Sequence, residues 1–311
     1  MKGQYGSKGL SFSARTIEVP EDHAGRRLDK FIQSQLKGVP ATLLFRLMRE
    51  GKIRVNGLKV KQNHRVEGAD IITLPAITVE ETKEPQRVPQ HLLTKVRESI
   101  VFENDDLIAV NKPAGLAVHR GTGVDAGVIE ALRFARPDIK ELELAHRIDR
   151  ETSGLLLVAK TSTILRHLQE LLREEEHRIK RYYLAHVDGY WPTDLAVSHQ
   201  PLHRTHQRTI VAPHGLRAET RFAVVKRHGQ GSTTIEAQLL TGRKHQIRVH
   251  CADAGHPIGG DSRYGSDAFN KKVRGRGVKG MLLHAHRVDI PMPDGNELTL
   301  TAPTPAEWEK L

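Results

Sequence analysis

Between Leu28 and Leu74 the apolar residues follow two different periods, and the change falls at Gly51. Leu28, Phe31, Ile32 and Leu36 recur at helical spacing, as do Leu43, Leu44, Leu47 and Met48 beyond the break at Gly38-Val39-Pro40. This predicts two short helices. After Gly51 the spacing alternates: Ile53 and Val55, an Asn56-Gly57 hairpin signal, Leu58 and Val60, then Ile71, Ile72 and Leu74. Two helices followed by a small sheet make a compact α/β unit. The same stretch is charged on one side of the balance. From Arg26 to Arg65 there are eleven lysines and arginines against only Asp29 and Glu50, which leaves nine of the chain's eleven net positive charges here.

A formal charge of +11 on 311 residues points first to a polyanionic partner, because lysines and arginines that neutralise phosphates release condensed counterions. A hydrophobic fraction of 38% is enough for a real core, so disorder throughout is excluded. Cys251 is the single cysteine, which rules out an intramolecular disulfide and a cysteine-rich metal site and suits a reducing, cytoplasmic setting. No apolar run approaches the length of a membrane span, so no membrane partner is expected. The opening MKGQYGSKGLSFSAR has no signal-peptide core. Residues 1–16 are read as a disordered tail, in preference to an organelle presequence.

Residues 76–97 show little periodicity and carry isolated charges, which suits a linker. From 98 to 311 strand-like and helix-like segments mix: VFEN, LIAVNK, GLLLVAK, YYLAHV, TRFAVV and TTIEAQLL against VIEALRFA and ILRHLQELLREEE. The fold class is α+β with a mixed or mainly antiparallel sheet, not a chain of βαβ units.

Three segments hold the chemistry. Asp149 lies in His146-Arg147-Ile148-Asp149-Arg150, just before the apolar run Leu155 to Ala159. A rigid strand mounts it, and the neighbouring cations suit an ionised carboxylate serving as nucleophile or general base. Taken alone, the segment reads more readily as a structural ion pair. The second is Thr241-Gly242-Arg243-Lys244-His245-Gln246-Ile247-Arg248-Val249-His250, a row of donors too polar for an ordinary core element. The third is Lys180-Arg181-Tyr182-Tyr183, where strand alternation turns the tyrosines to opposite faces, one to the core and one to a pocket.

RRLDKFI, REGKIRVNG and EGADIITL, in that order over residues 17–75, resemble the S4 RNA-binding domain. NKPAGLAVH (111–119), HRIDRETSGLLLVAK (146–160), YLAHVDG (183–189), TGRKHQIRVH (241–250) and GHPIGGDSRYG (255–265) together resemble the RluA-type pseudouridine synthases. The resemblance implies a pseudouridine synthase catalytic domain over 98–311, which isomerises chosen uridines in RNA without metal or cofactor. It implies that Asp149 is the catalytic aspartate, Arg248 its salt-bridge partner and Tyr183 the aromatic that stacks on uracil. Arg147 would contact the RNA around the displaced base. Arg26, Arg27, Arg46, Arg49, Lys52, Arg54, Arg243 and His245 are the further expected RNA contacts. Large-subunit ribosomal RNA is the first candidate substrate and transfer RNA the second, with no obligate protein partner. Ile148, Arg181 and Lys244 depart from the residues common in the family at those positions.

Other readings are weaker. His-Arg-Ile-Asp is similar to a kinase catalytic loop, but the chain has no Asp-Phe-Gly. The glycine pattern Gly275 to Gly280 lacks a preceding strand and reads as a basic loop. His284 with His286, or His199 with His203 and His206, match no strong zinc spacing. The alternative from another class is a noncatalytic RNA-binding or ribosome-assembly factor.

Overall fold

The computed structural model describes residues 10–36, 38–79, 88–121, 124, 126–173, 179–229 and 231–311. The chain divides into two compact units, residues 1–85 and 86–311.

In the first unit the helices Leu28–Gln35 and Ala41–Arg49 lie against a three-stranded antiparallel sheet of Arg15–Glu18, Ile71–Leu74 and Arg54–Val55. Leu28, Phe31, Ile32, Leu44, Ile53 and Ile72 are fully buried between them. The apolar period therefore marks the core-facing stripe. Asn56 and Gly57 take positive φ of 49° and 75°, and Val55 and Leu58 exchange backbone hydrogen bonds across them at 3.0 and 2.9 Å. The tight turn is as expected. The strand expected after it is not, since Leu58 is exposed and the pairing stops at that one bridge.

The tail and linker boundaries also need correction. Leu10–Phe12 pairs with Ile77–Val79, and Arg15–Glu18 pairs with Ile71–Leu74, so order begins within the expected tail. Phe12, Ile17, Ile77 and Val79 pack on the core of this unit, which holds both ends of the segment in place. The expected tail residues 1–9 and linker residues 80–87 lie outside the described residues. Gln90–Glu98, assigned to the linker, is a helix, because Leu92, Leu93 and Val96 form an apolar face that packs with Val128, Ile129 and Leu132.

The second unit is built on a ten-stranded sheet. Its main path runs Val197–Ser198, Thr220–His228, Ser232–Leu239, Lys180–Asp188, Leu283–Pro291, Ser153–Ala159, Leu107–Lys112 and Ile100–Glu103. Glu297–Thr301 pairs with Leu283–Pro291, and Glu143–Leu144 pairs with Ser153–Ala159. Among the described residues, all pairings are antiparallel except that of Leu283–Pro291 with Ser153–Ala159. This is the mixed sheet expected. Ser153–Ala159 is buried along its whole length: Leu155, Leu157 and Ala159 enter one core, Leu156 and Val158 the other. A strand covered on both faces reads as a continuous apolar run, which is what LLLVA is. Its first turn needs Gly154, at φ +104°, where an added Cβ would collide with the backbone of Ala285 on the parallel neighbour.

Candidate active site

Asp149 sits at the head of this central strand, on a loop closed by Thr152 N donating to Asp149 O at 3.2 Å. The loop is tied to the turn after Leu107–Lys112. Lys112 is fully buried, and its Nζ donates to the carbonyls of Pro113, Leu116 and Arg150 at 2.9, 3.0 and 2.9 Å. Three acceptors match the three protons of an ammonium group. Burial nevertheless draws its pKa down to about 7. Gly115 N donates to Arg150 O, and Arg150 Nε returns a bond to Gly115 O, both at 2.9 Å. On the other side, Leu157 N donates to His146 Nε2 at 3.1 Å, which requires that nitrogen to be unprotonated. Burial lowers the His146 pKa to about 4, in keeping with a neutral ring.

Arg248 comes from the helix Gln246–Asp253 and bridges two carboxylates. Its Nη1 reaches Asp149 Oδ2 at 3.0 Å, while Nε and Nη2 grip Asp261 at 2.7 and 2.9 Å. A bidentate grip fixes the guanidinium plane and so aims Nη1 at Asp149. Burial works to raise the Asp261 carboxyl, but Arg248 and the backbone N–H groups of Arg263 and Tyr264 outweigh it and hold it below the usual range. Asp149 itself stays partly open to solvent, its side chain 29% exposed. That leaves one face for a substrate.

A cavity of about 510 Å³ opens over Asp149, lined by Arg147, Tyr183, Lys244, His245 and Arg248 among others. Tyr183 is buried on the wall, and burial raises its phenol pKa. Tyr182 turns away and lies under the Arg287 guanidinium, 3.8 Å from ring centroid to Cζ. The register of Lys180–Asp188 against Leu283–Pro291 shifts between these two tyrosines. They turn to different surroundings as expected, but Tyr183 is both the core and the pocket residue, and Tyr182 is half-buried under Arg287. A second cavity shares Arg147, Arg181, Gly242 and Arg243 with the first. Arg181 Nε is buried there without a hydrogen-bond partner among the described residues.

The structure thus brings Asp149, Tyr183, Arg248, Arg147, Arg243 and His245 to one cavity. Arg147 and Arg243 are exposed and His245 is mostly buried, its Nε2 3.7 Å from Asp149 Oδ2. Arg26, Arg27, Arg46, Arg49, Lys52 and Arg54 are all exposed on the first unit. The donor-rich row 241–250 divides: Gly242, Arg243 and Lys244 are exposed, whereas Gln246, Ile247, Arg248, Val249 and His250 are buried in the helix. Two residues escape a reading of the sequence. Asp261 lies within GHPIGGDSRYG, but no spacing reveals its hold on Arg248, and Lys112 is an unremarkable lysine until its burial is seen. Two of the histidines weighed for metal have partners within the fold. His284 joins Ser153 and Ala302 O, and His286 joins Glu236.

Comparison with known proteins gives the family. The RNA pseudouridylate synthase family model matches residues 106–253, and the S4 domain model matches residues 26–72. Ribosomal large subunit pseudouridine synthase C of Vibrio vulnificus is 41% identical over 95% of this chain and 94% of its own length. The protein of that name from Pasteurella multocida is 38% identical over 98% and 94%. Among solved structures, Human RNA Pseudouridylate Synthase Domain Containing 1 aligns with a TM-score of 0.55 at 25% identity, covering 67% of this chain and 83% of that one. Human RNA Pseudouridylate Synthase Domain Containing 4 aligns at 0.58 and 24%, covering 71% and 94%, and supports the fold. The chain therefore belongs to the RNA pseudouridylate synthase family and carries an S4 domain ahead of its catalytic domain.

Proposed function

We propose that this protein converts specific uridines of large-subunit ribosomal RNA to pseudouridine, with Asp149 as the reacting carboxylate. The observation that carries the reading is the fixed ion pair of Asp149 with Arg248, at 3.0 Å, on the floor of an open cavity. The reaction breaks the bond from ribose C1′ to uracil N1 and joins C1′ to C5, so no atom is gained or lost. It asks of the protein a placed carboxylate, a cation to hold it and a wall for the displaced ring. Arg248 supplies the cation and Tyr183 the wall.

A uridine in a stacked helix cannot reach Asp149, and flipping it out costs a few kcal/mol, which stacking and phosphate contacts offset. Arg147 and Arg243 at the cavity mouth, with the exposed arginines of the S4 domain, suit those contacts. The large-subunit target rests on the names of the relatives, and a cytoplasmic location accords with such a substrate.

Incubating the purified protein with unmodified large-subunit ribosomal RNA and mapping pseudouridine will yield modification at a few discrete positions. Folded protein that binds this RNA yet forms no pseudouridine would instead be a noncatalytic RNA-binding factor.

A further inference from the structure

His245 is the residue at the cavity whose conformation is least ordinary. It precedes the helix Gln246–Asp253 with φ 59° and ψ 22°, in the left-handed region that non-glycine residues seldom occupy. That backbone turns its ring inward, where the side chain is only 9% exposed. One ring nitrogen, Nε2, faces Asp149 Oδ2 at 3.7 Å. The other, Nδ1, lies 2.8 Å from the Tyr264 hydroxyl. That hydroxyl also accepts the backbone N–H of Thr209 at 3.0 Å.

The carboxylate facing Nε2 favours one of the two neutral tautomers. Thr209 N–H occupies one lone pair of the phenol oxygen, and the phenol's own proton is free to go to His245 Nδ1, 2.8 Å away. A neutral ring that accepts at Nδ1 carries its proton on Nε2. The carboxylate makes the same demand, since an N–H facing Asp149 attracts it and a lone pair would repel it. The ring is neutral because burial lowers its pKa to about 4, a depression that Arg248, Lys244 and Arg263 add to and Asp149 opposes.

We propose that His245 is a positioning residue for the isomerisation, held by Tyr264 in the tautomer whose Nε2–H steers the Asp149 carboxylate. This rests on Asp149 being the reacting group. The separation of 3.7 Å is longer than a hydrogen bond, and contacts of this kind tighten when substrate fills a site. Arg248 holds Oδ2 from one direction and His245 approaches it from another, so the two together restrict rotation of the carboxylate. Tyr264 is fixed in turn: its backbone N–H donates to Asp261 Oδ1 at 3.1 Å, the carboxylate that also grips Arg248. One acid thus sets both of the groups that face Asp149.

The test has two arms. In protein labelled with ¹⁵N-histidine, the His245 resonances, identified by their loss in His245→Asn, will report a neutral ring protonated at Nε2. In Tyr264→Phe, kcat will fall about ten-fold, with KM for the RNA within two-fold, as expected when orientation and not binding is lost. A wild-type ring protonated at Nδ1, or undiminished kcat in Tyr264→Phe, overturns the proposal. Should Tyr264→Phe fail to fold, the wild-type tautomer decides it. If Asp149→Asn remains active, the fault lies with the reaction assigned above; if Asp149→Asn is inactive while Tyr264→Phe is normal, only the positioning role falls.

Discussion

Arg248 is the residue on which most of the site depends, because its guanidinium is the charge partner of the buried Asp261 and also contacts Asp149. Taking a carboxylate out of water is tolerable only with such a partner. Arg248→Met keeps an unbranched stem but strands Asp261, whose side chain is wholly buried. The expected loss is about 3–5 kcal/mol of stability, read from denaturant melts, in addition to the loss of turnover. An unchanged melt would mean that Asp261 does not need its partner. The pairing was not legible in the sequence. Arg248 and Asp261 are ordinary residues thirteen positions apart, and only the turn after Gln246–Asp253 brings them together. The placement of Asp149 at a cavity, by contrast, was legible through its motif, and the apolar strand behind it announced a rigid mount.

The elements around the site differ in how plainly their sequence declares them. Ser153–Ala159 and Leu107–Lys112 are apolar on both faces and are read at sight. The helix Gln246–Asp253 is not, because its buried positions include polar groups satisfied by particular partners. Gln246 Nε2 donates to Glu219 O and Thr220 Oγ1, both at 2.9 Å, and His250 contacts Thr220 Oγ1 and Gln200 O. Without an apolar stripe, hydrophobic periodicity has nothing to detect. Lys112 is the corresponding case between elements, since it staples the loop of Asp149 to the turn beyond its own strand. Lys112→Met leaves three carbonyls without their donor and should cost on the order of 2–3 kcal/mol, lowering kcat more than it raises KM. A Tm and kcat equal to wild type would show that the loops hold without it.

For the whole molecule, the uneven charge separates binding from chemistry. Replacing Arg26, Arg46 and Arg49 by alanine should raise KM and reduce the salt dependence of RNA binding by roughly one counterion for each phosphate no longer neutralised, with kcat unchanged. A fall in kcat alone would place those residues elsewhere in the mechanism. Acid should weaken the catalytic unit for a separate reason. His284 and His186 are wholly covered, and burial lowers their pKa values to about 4 and about 3. The folded chain keeps them neutral, whereas the unfolded chain protonates them near pH 6.5. Stability is therefore full above about pH 6.5 and is lost as pH falls towards 4 and below, so Tm should be lower at pH 5 than at pH 7. The proposed chemistry rests on one carboxylate. Single-turnover pseudouridine formation on large-subunit ribosomal RNA, measured for wild type and for Asp149→Asn at saturating protein, tests its role most directly. The expected result is a rate reduced by at least about a thousand-fold with RNA affinity within a few-fold of wild type; equal rates would remove Asp149 from the reaction.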